Sequence, residues 1–305
     1  MQTMENNAFQ PLSKSNQSQE VIVRPSLSYW KDAWRRLKKN KLAMLGLYTL
    51  STLMILAILA PFFSSYDYAT QTYTIRNQWP TAAHWFGTDD FGRDLWVRVW
   101  WGTRISLFIG IVAALIDFVV GILYGGISAY FGGRVDDIMM RVIEIVYSIP
   151  FLLITILMIM TIGPSIWTII LAYSITGWVP MARLVRGQIL TLKEQEFVLA
   201  ARTLGASPSR IILRHLIPNA LGIIIVQITF VVPNAIFVES FLSFIGLGVR
   251  PPLASLGSLL SDGVKSMTIY PYKVLIPTVI FSLILMSFNL LGDGLRDALD
   301  PKMRK

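Results

Sequence analysis

The sequence predicts an all-α integral membrane protein with six transmembrane helices. Three observations carry that reading: a composition too poor in charge for a soluble domain, six apolar stretches of about 20 residues or more, and basic residues gathered in particular connections. Of 305 residues, 54% are hydrophobic and only 15% charged, with a mean hydropathy of +0.56. Soluble domains carry about a quarter charged residues. The net charge of +9 could serve nucleic acid. Its placement beside apolar spans instead fits the inner face of a membrane. The chain has no cysteine, which excludes disulfides and thiolate metal sites. Its two histidines, His84 and His215, lie too far apart in sequence to propose a metal centre.

Residues 1–23 are polar, without periodicity, and read as a disordered tail. In 24–41, Trp30, Trp34 and Leu37 recur at helical spacing among lysines and arginines, as in a basic helix lying on the inner leaflet. These 41 residues form a tail that precedes the first span, 42–63, whose roughly 33 Å of helix is enough to cross a bilayer. Some forty polar residues before it, and no small-residue cleavage site, argue against a signal peptide. Residues 64–102 are expected to be an outer loop, with Trp96, Trp100 and Trp101 suited to an aromatic belt. The main membrane unit, 103–292, holds spans at about 105–130, 138–161, 165–190, 219–247 and 272–291. Pro150 is expected to kink the third. Residues 131–137 read as a short inner turn, 248–271 as an outer loop with a short surface helix, and 293–305 as an inner C-terminus. Segment 24–41 has seven Lys/Arg and 183–218 has six. Six spans put both on one side, which the positive-inside rule makes cytoplasmic.

Between the fourth and fifth spans lies a charged, amphipathic island, 196–218. Phe197, Ala200, Ala201 and Leu204 fall at i, i+3, i+4 and i+7, one apolar helical face. Gly205 stands where a helix end takes a left-handed residue. Ser207 and Pro208 read as N-cap and first turn of a second short helix bearing Arg210 and Arg214, and Pro218 separates it from the next span. Two short helices joined at a glycine form a docking element; the competing reading is a helix lying on lipid headgroups.

This segment resembles the EAA loop of ABC importer permeases: Ala200-Ala201, Gly205 after three residues, and Pro218 thirteen further on are in register. Leu199, His215 and Ile217 depart from the pattern. The resemblance implies a type I ABC importer permease fold with a cytoplasmic coupling-helix loop between spans 4 and 5. Glu196, Ala200, Ala201, Gly205, Ser207, Arg210, Arg214 and Pro218 would then form the joint with an ATPase subunit. In 84–107, Gly87, Asp89, Gly92, Arg93, Asp94 and Arg104 resemble the signature of the C-type subunit in the peptide and nickel branch. That implies a cell-membrane complex of two different permeases, two ATPase subunits and an extracytoplasmic peptide-binding protein, carrying oligopeptides or dipeptides.

No GxxxxGK[ST] phosphate loop occurs and no catalytic set can be assembled, so the chain is expected not to be an enzyme. ATP and magnesium would bind to partner subunits. A charge at mid-bilayer costs about 2.5–3.5 kcal/mol on insertion scales. Asp117, Glu144, Asn234 and Glu239 therefore line a substrate path or, more commonly for such residues, bond to neighbouring helices. A secondary carrier or channel, or a same-branch importer of nickel or another small solute, is the alternative; ATP dependence separates the first of these. The topology is tested with fused reporters, expected to be cytoplasmic within 193–210 and after Lys305, and outside within 70–80. A fusion at 75 labelled from the cytoplasm contradicts six spans.

Overall fold

The computed structural model describes residues 29–299. The segment read as a disordered tail, and the last six residues, lie outside these. Among the described residues twelve α-helices carry the fold and no strand forms. Helix α1 (Tyr29–Lys39) buries Ala33 and Leu37 and leaves Trp30 and Trp34 exposed. It stops at Asn40, whose side chain caps α2 (Lys41–Leu59) by accepting from the Ala43 amide at 3.1 Å.

Helix α3 (Leu95–Phe131) is 37 residues long. At 1.5 Å per residue it reaches about 55 Å, well beyond the roughly 30 Å hydrocarbon core. It starts ten residues before the expected span because Asp94 caps it, accepting from the Val97 amide at 2.9 Å. Trp100 is consequently buried in the bundle, not placed in a belt. The expected turn at 131–137 shrinks to Gly132, and α4 (Gly133–Ser148) begins at once. Pro150 breaks the next span as expected. Ile149 is extended, as a residue before proline prefers, and α5 (Phe151–Ile162) leaves α4 at 74°. Helices α6 (Ile166–Thr176) and α7 (Trp178–Leu192) make one span with an irregular turn at Gly177. Pro180 offers no amide to the Thr176 carbonyl there.

The charged island folds as α8 (Glu196–Thr203) and α9 (Pro208–Ile211). A wide turn, Ile212–Leu216, then joins α9 to α10 (Ile217–Phe244). Pro218 therefore does not separate a short helix from the span: the second short helix is the start of that span. Helix α11 (Leu256–Lys265) was expected on the surface, but Leu256 and Leu259 are buried. It inserts between α10, α12 and α3. The last helix, α12 (Tyr272–Leu299), continues past the expected end of its span, because Ala298 packs with Leu37 and Ala43.

Five continuous helical stretches are long and apolar enough to cross a membrane, six if the bent α4–α5 pair counts as one span. Helix α3 crosses α7 closely. A Cβ at Gly121 would sit 2.6 Å from Met181, and one at Gly125 2.3 Å from the Ala182 carbonyl. Such small residues let membrane helices approach where no hydrophobic drive exists between them.

Candidate functional site

At one end of the bundle the loop of α8 and α9 is held by its inner face. Val198 and Ala201 are buried against Ile189 of α7 and Ile211, Ile212 and Leu216 of the α9–α10 junction. Of the apolar face expected from periodicity only Ala201 turns inward, while Phe197, Ala200 and Leu204 are exposed. Phe197 is 39% exposed, Leu199 65% and Leu204 87%. Gly205 has φ +76° with open space around it, so the backbone alone demands glycine there. The Ala206 amide reaches back to the Ala201 carbonyl at 3.0 Å and the Gly205 amide to Arg202 at 2.9 Å, closing α8. The Ser207 hydroxyl accepts from the Arg210 amide, opening α9. Glu196, Arg210 and Arg214 point outward and exposed. Nearby, Arg186 of α7 grips Asp136 of α4 through two hydrogen bonds of 2.6 and 2.5 Å, and the Ser128 hydroxyl of α3 donates to the same carboxylate.

At the opposite end, residues 64–94 form a folded module rather than a free loop. Gly87 and Gly92 turn with positive φ, and Asp89 holds the second of these turns together. Its carboxylate accepts from the Phe91 and Arg93 amides at 2.9 and 3.0 Å and from Arg93 Nε at 2.6 Å, with Arg98 Nε at 3.3 Å. Arg98 is itself buried in α3 and donates to the Tyr68 carbonyl at 3.0 Å. Asp94 adds a 2.8 Å contact to His84 Nδ1. Two residues of α12 fasten the module to the bundle. The Tyr272 hydroxyl donates to the carbonyls of Gln78 and Thr88 at 2.9 and 2.8 Å. The Lys273 ammonium donates to Asp90 at 2.7 Å and also to Asn77. Arg104 stands apart from this cluster, donating to the Ala57 and Ile58 carbonyls at the end of α2. His84, Arg98, Tyr272 and Lys273 were not among the expected signature residues. A buried arginine and lysine inside apolar helices are the signal that could have found them.

The intramembrane polar residues divide. Glu239 of α10 is fully buried and accepts from Ser106 of α3 at 2.8 Å and from Ser243 at 2.7 Å. Ser106 accepts the Leu256 amide at 3.2 Å and Ser243 the Ser255 hydroxyl at 3.1 Å, so this carboxylate anchors the start of α11. Asp117 is also fully buried, with neither oxygen hydrogen-bonded, facing Gly177 across the α3–α7 crossing. Asn234 is exposed and donates to the Tyr173 hydroxyl at 3.3 Å, and Glu144 is exposed and paired with Arg141.

This helical arrangement is the fold of type I ABC importer permeases. A solved chain of the MetNI methionine ABC transporter, in an inward-facing crystal form, superposes with TM-score 0.54 at 19% identity, covering 68% of this chain and 96% of that one. Sequence comparison then fixes the family. The chain belongs to the binding-protein-dependent transport system inner membrane components, whose family model matches residues 117–305. A second model, the N-terminal TM domain of oligopeptide transport permease C, matches 28–80. A dipeptide transport system permease protein of Bacillus subtilis is 52% identical over 293 residues, 96% of this chain and 92% of the relative. An oligopeptide transport system permease protein of the same organism is 50% identical over the full length of both chains. Its Escherichia coli K12 counterpart is 47% identical, covering 91% of this chain and 92% of the relative.

The Asp94 geometry gives a graded expectation. Asp94→Ala removes a helix cap and orphans His84, and should cost about 1–3 kcal/mol, lowering the melting temperature of the purified protein. Asp94→Asn retains a capping acceptor and should lose less. Equal losses in the two variants contradict the capping role.

Proposed function

We propose that this chain is one of two different membrane-spanning subunits of an ATP-driven importer that takes up oligopeptides or dipeptides. The names of its relatives, at about half identity over nearly the whole chain, support the cargo class. Two ATPase subunits, which bind ATP and magnesium, and an extracytoplasmic peptide-binding protein complete the complex. The end bearing α1, the α8–α9 loop and the tail of α12 is cytoplasmic, in keeping with its basic residues. Residues 64–94 then face outward, where the binding protein docks.

The observation that carries this reading is the exposure of Leu199 and Leu204 on a loop whose other face is locked into the bundle. Isolated exposed leucines need no explanation, but a group on a rigid protrusion marks a protein contact. These leucines insert into a groove of the ATPase, and closure of the ATPase pair pushes the loop. Because α9 runs on into α10, the push reaches the middle of the membrane without an intervening flexible joint. The chain supplies no catalytic group of its own; its part is to convert a movement of the ATPases into access from alternate sides.

The loop is tested by ATP hydrolysis of the reconstituted complex, with and without loaded binding protein, and by co-purification of the ATPases. Leu204→Asp should reduce stimulated hydrolysis and association at least tenfold. Gly205→Val forces a β-branched residue to positive φ, at about 1–2 kcal/mol, and re-aims α9; it should uncouple transport. Ala201→Trp overpacks a buried site by roughly 1–3 kcal/mol and should disturb the loop itself. Arg210→Ala and Arg214→Ala, at exposed positions where pairs are worth about 0–1 kcal/mol, should each change little. Full coupling and full association in both Leu204→Asp and Gly205→Val would remove the physical basis of the reading.

A further inference from the structure

A cavity of about 720 Å³ opens between α7, α10 and α12 at the end that carries the coupling loop. That is the size of a small-molecule site. Along α10 its wall runs from Asn219 through Ile223 and Gln227 to Phe230, a depth of about 16 Å by helix rise. Gln188 of α7 and Arg296 of α12 complete the polar part. Among the described residues, Gln188, Gln227 and Arg296 have no hydrogen-bond or ion-pair partner. Asn219 donates to the His215 carbonyl at 2.6 Å, which fixes its amide at the mouth.

These lining groups restrict the occupant. An amide such as Gln227, set in an apolar span, is costly to leave unanswered, and a lipid acyl chain cannot answer it. Gln188 and Gln227 can each donate and accept, which suits a peptide backbone of any sequence. Among the described residues Arg296 is the single charged group in the lining, and guanidinium matches a carboxylate in a two-point geometry. Ile223 and Phe230 offer unspecific apolar contact for side chains. We propose that this cavity receives the C-terminal part of the transported peptide on its inward passage, with Arg296 pairing to the terminal carboxylate and Gln188 and Gln227 to backbone amides. The inference rests on the reading that the cargo is a peptide. It explains how a path can hold many sequences weakly while preferring one chain end.

This chain has no cysteine, so within it an introduced cysteine is the single thiol, and labelling is read on this chain after it is separated from the reconstituted complex of both permeases, the ATPases and the binding protein. Uptake is measured for one peptide as the free acid and as its C-terminal amide. Dividing the variant's acid-to-amide ratio by the parental ratio cancels the binding protein's own preference. Arg296→Gln should lower that ratio about tenfold, the size of one charge-assisted hydrogen bond, while Arg296→Lys keeps part of it. Separately, Gln227→Cys should react with a bulky maleimide, lose uptake on modification, and be protected by transported peptide. An unchanged ratio in Arg296→Gln overturns the carboxylate role. A Gln227→Cys that cannot be labelled in the assembled complex assigns this wall to contact with the second permease. Labelling that leaves uptake intact assigns it to lipid. If the parental complex moves neither peptide form, yet its ATPases respond to another solute, the peptide reading itself fails, which is a separate outcome.

Discussion

Pro218 has no amide hydrogen and cannot bond to the carbonyl of Arg214, yet the helix that begins at Pro208 passes through it into the membrane. Two local adjustments make this possible. The chain widens over Ile212–Leu216, so that the Ile217 amide reaches the Ile212 carbonyl, and the Asn219 side chain donates to His215 at 2.6 Å. Wide turns of this kind are rare and tend to occur at functional positions. The result is one continuous helical stretch from Pro208 to Phe244, with Pro233 inside it, set off from α8 where Gly205 takes a positive φ. A force applied to the loop therefore meets a packed junction of Val198, Ala201, Ile211 and Leu216, not a swivel.

The far end of the same helix is equally constrained. Glu239 lies on α10 and, through Ser106 and Ser243, fixes the first turn of α11 against α3. Helix α12 follows α11 and pins the 64–94 module through Tyr272 and Lys273. Buried polar groups are worth keeping only when satisfied, and all of these bonds except Glu239–Ser243, which lies within α10, join two different elements. The loop at one end and the 64–94 module at the other are thus linked through α10, α11 and α12. Movement of one end without the other would break these hydrogen bonds, the buried set at Glu239 among them.

Much of this was legible in the sequence. Apolar length alone located the spans, Pro150 the bent one, and Gly205 with Ser207-Pro208 the turn between α8 and α9. Helix ends were misplaced wherever polar residues remain helical because their partners lie far along the chain. Arg98 finds its partners in the 64–94 module, and α12 runs on because Ala298 meets α1 and α2. The inward face of α8 was not legible. Periodicity marks an apolar face, but it does not say whether that face meets this chain or another. Phe197 and Leu204 are apolar and face away, whereas Val198 and Ala201 hold the loop. The cavity beside α10 had no sequence signature, since Gln188, Gln227 and Arg296 come from three helices.

The central claim, that loop and span move as one body, is open to a direct distance measurement. Spin labels at Leu213→Cys and Phe237→Cys, both at exposed positions, should lie about 36 Å apart at 1.5 Å per residue. In the assembled complex that distance should hold within a few ångströms between the nucleotide-free and ATP-trapped states, while a Leu213 label moves relative to one on α2. A change of more than about 5 Å between Leu213 and Phe237 would place a hinge inside the helix and contradict the account.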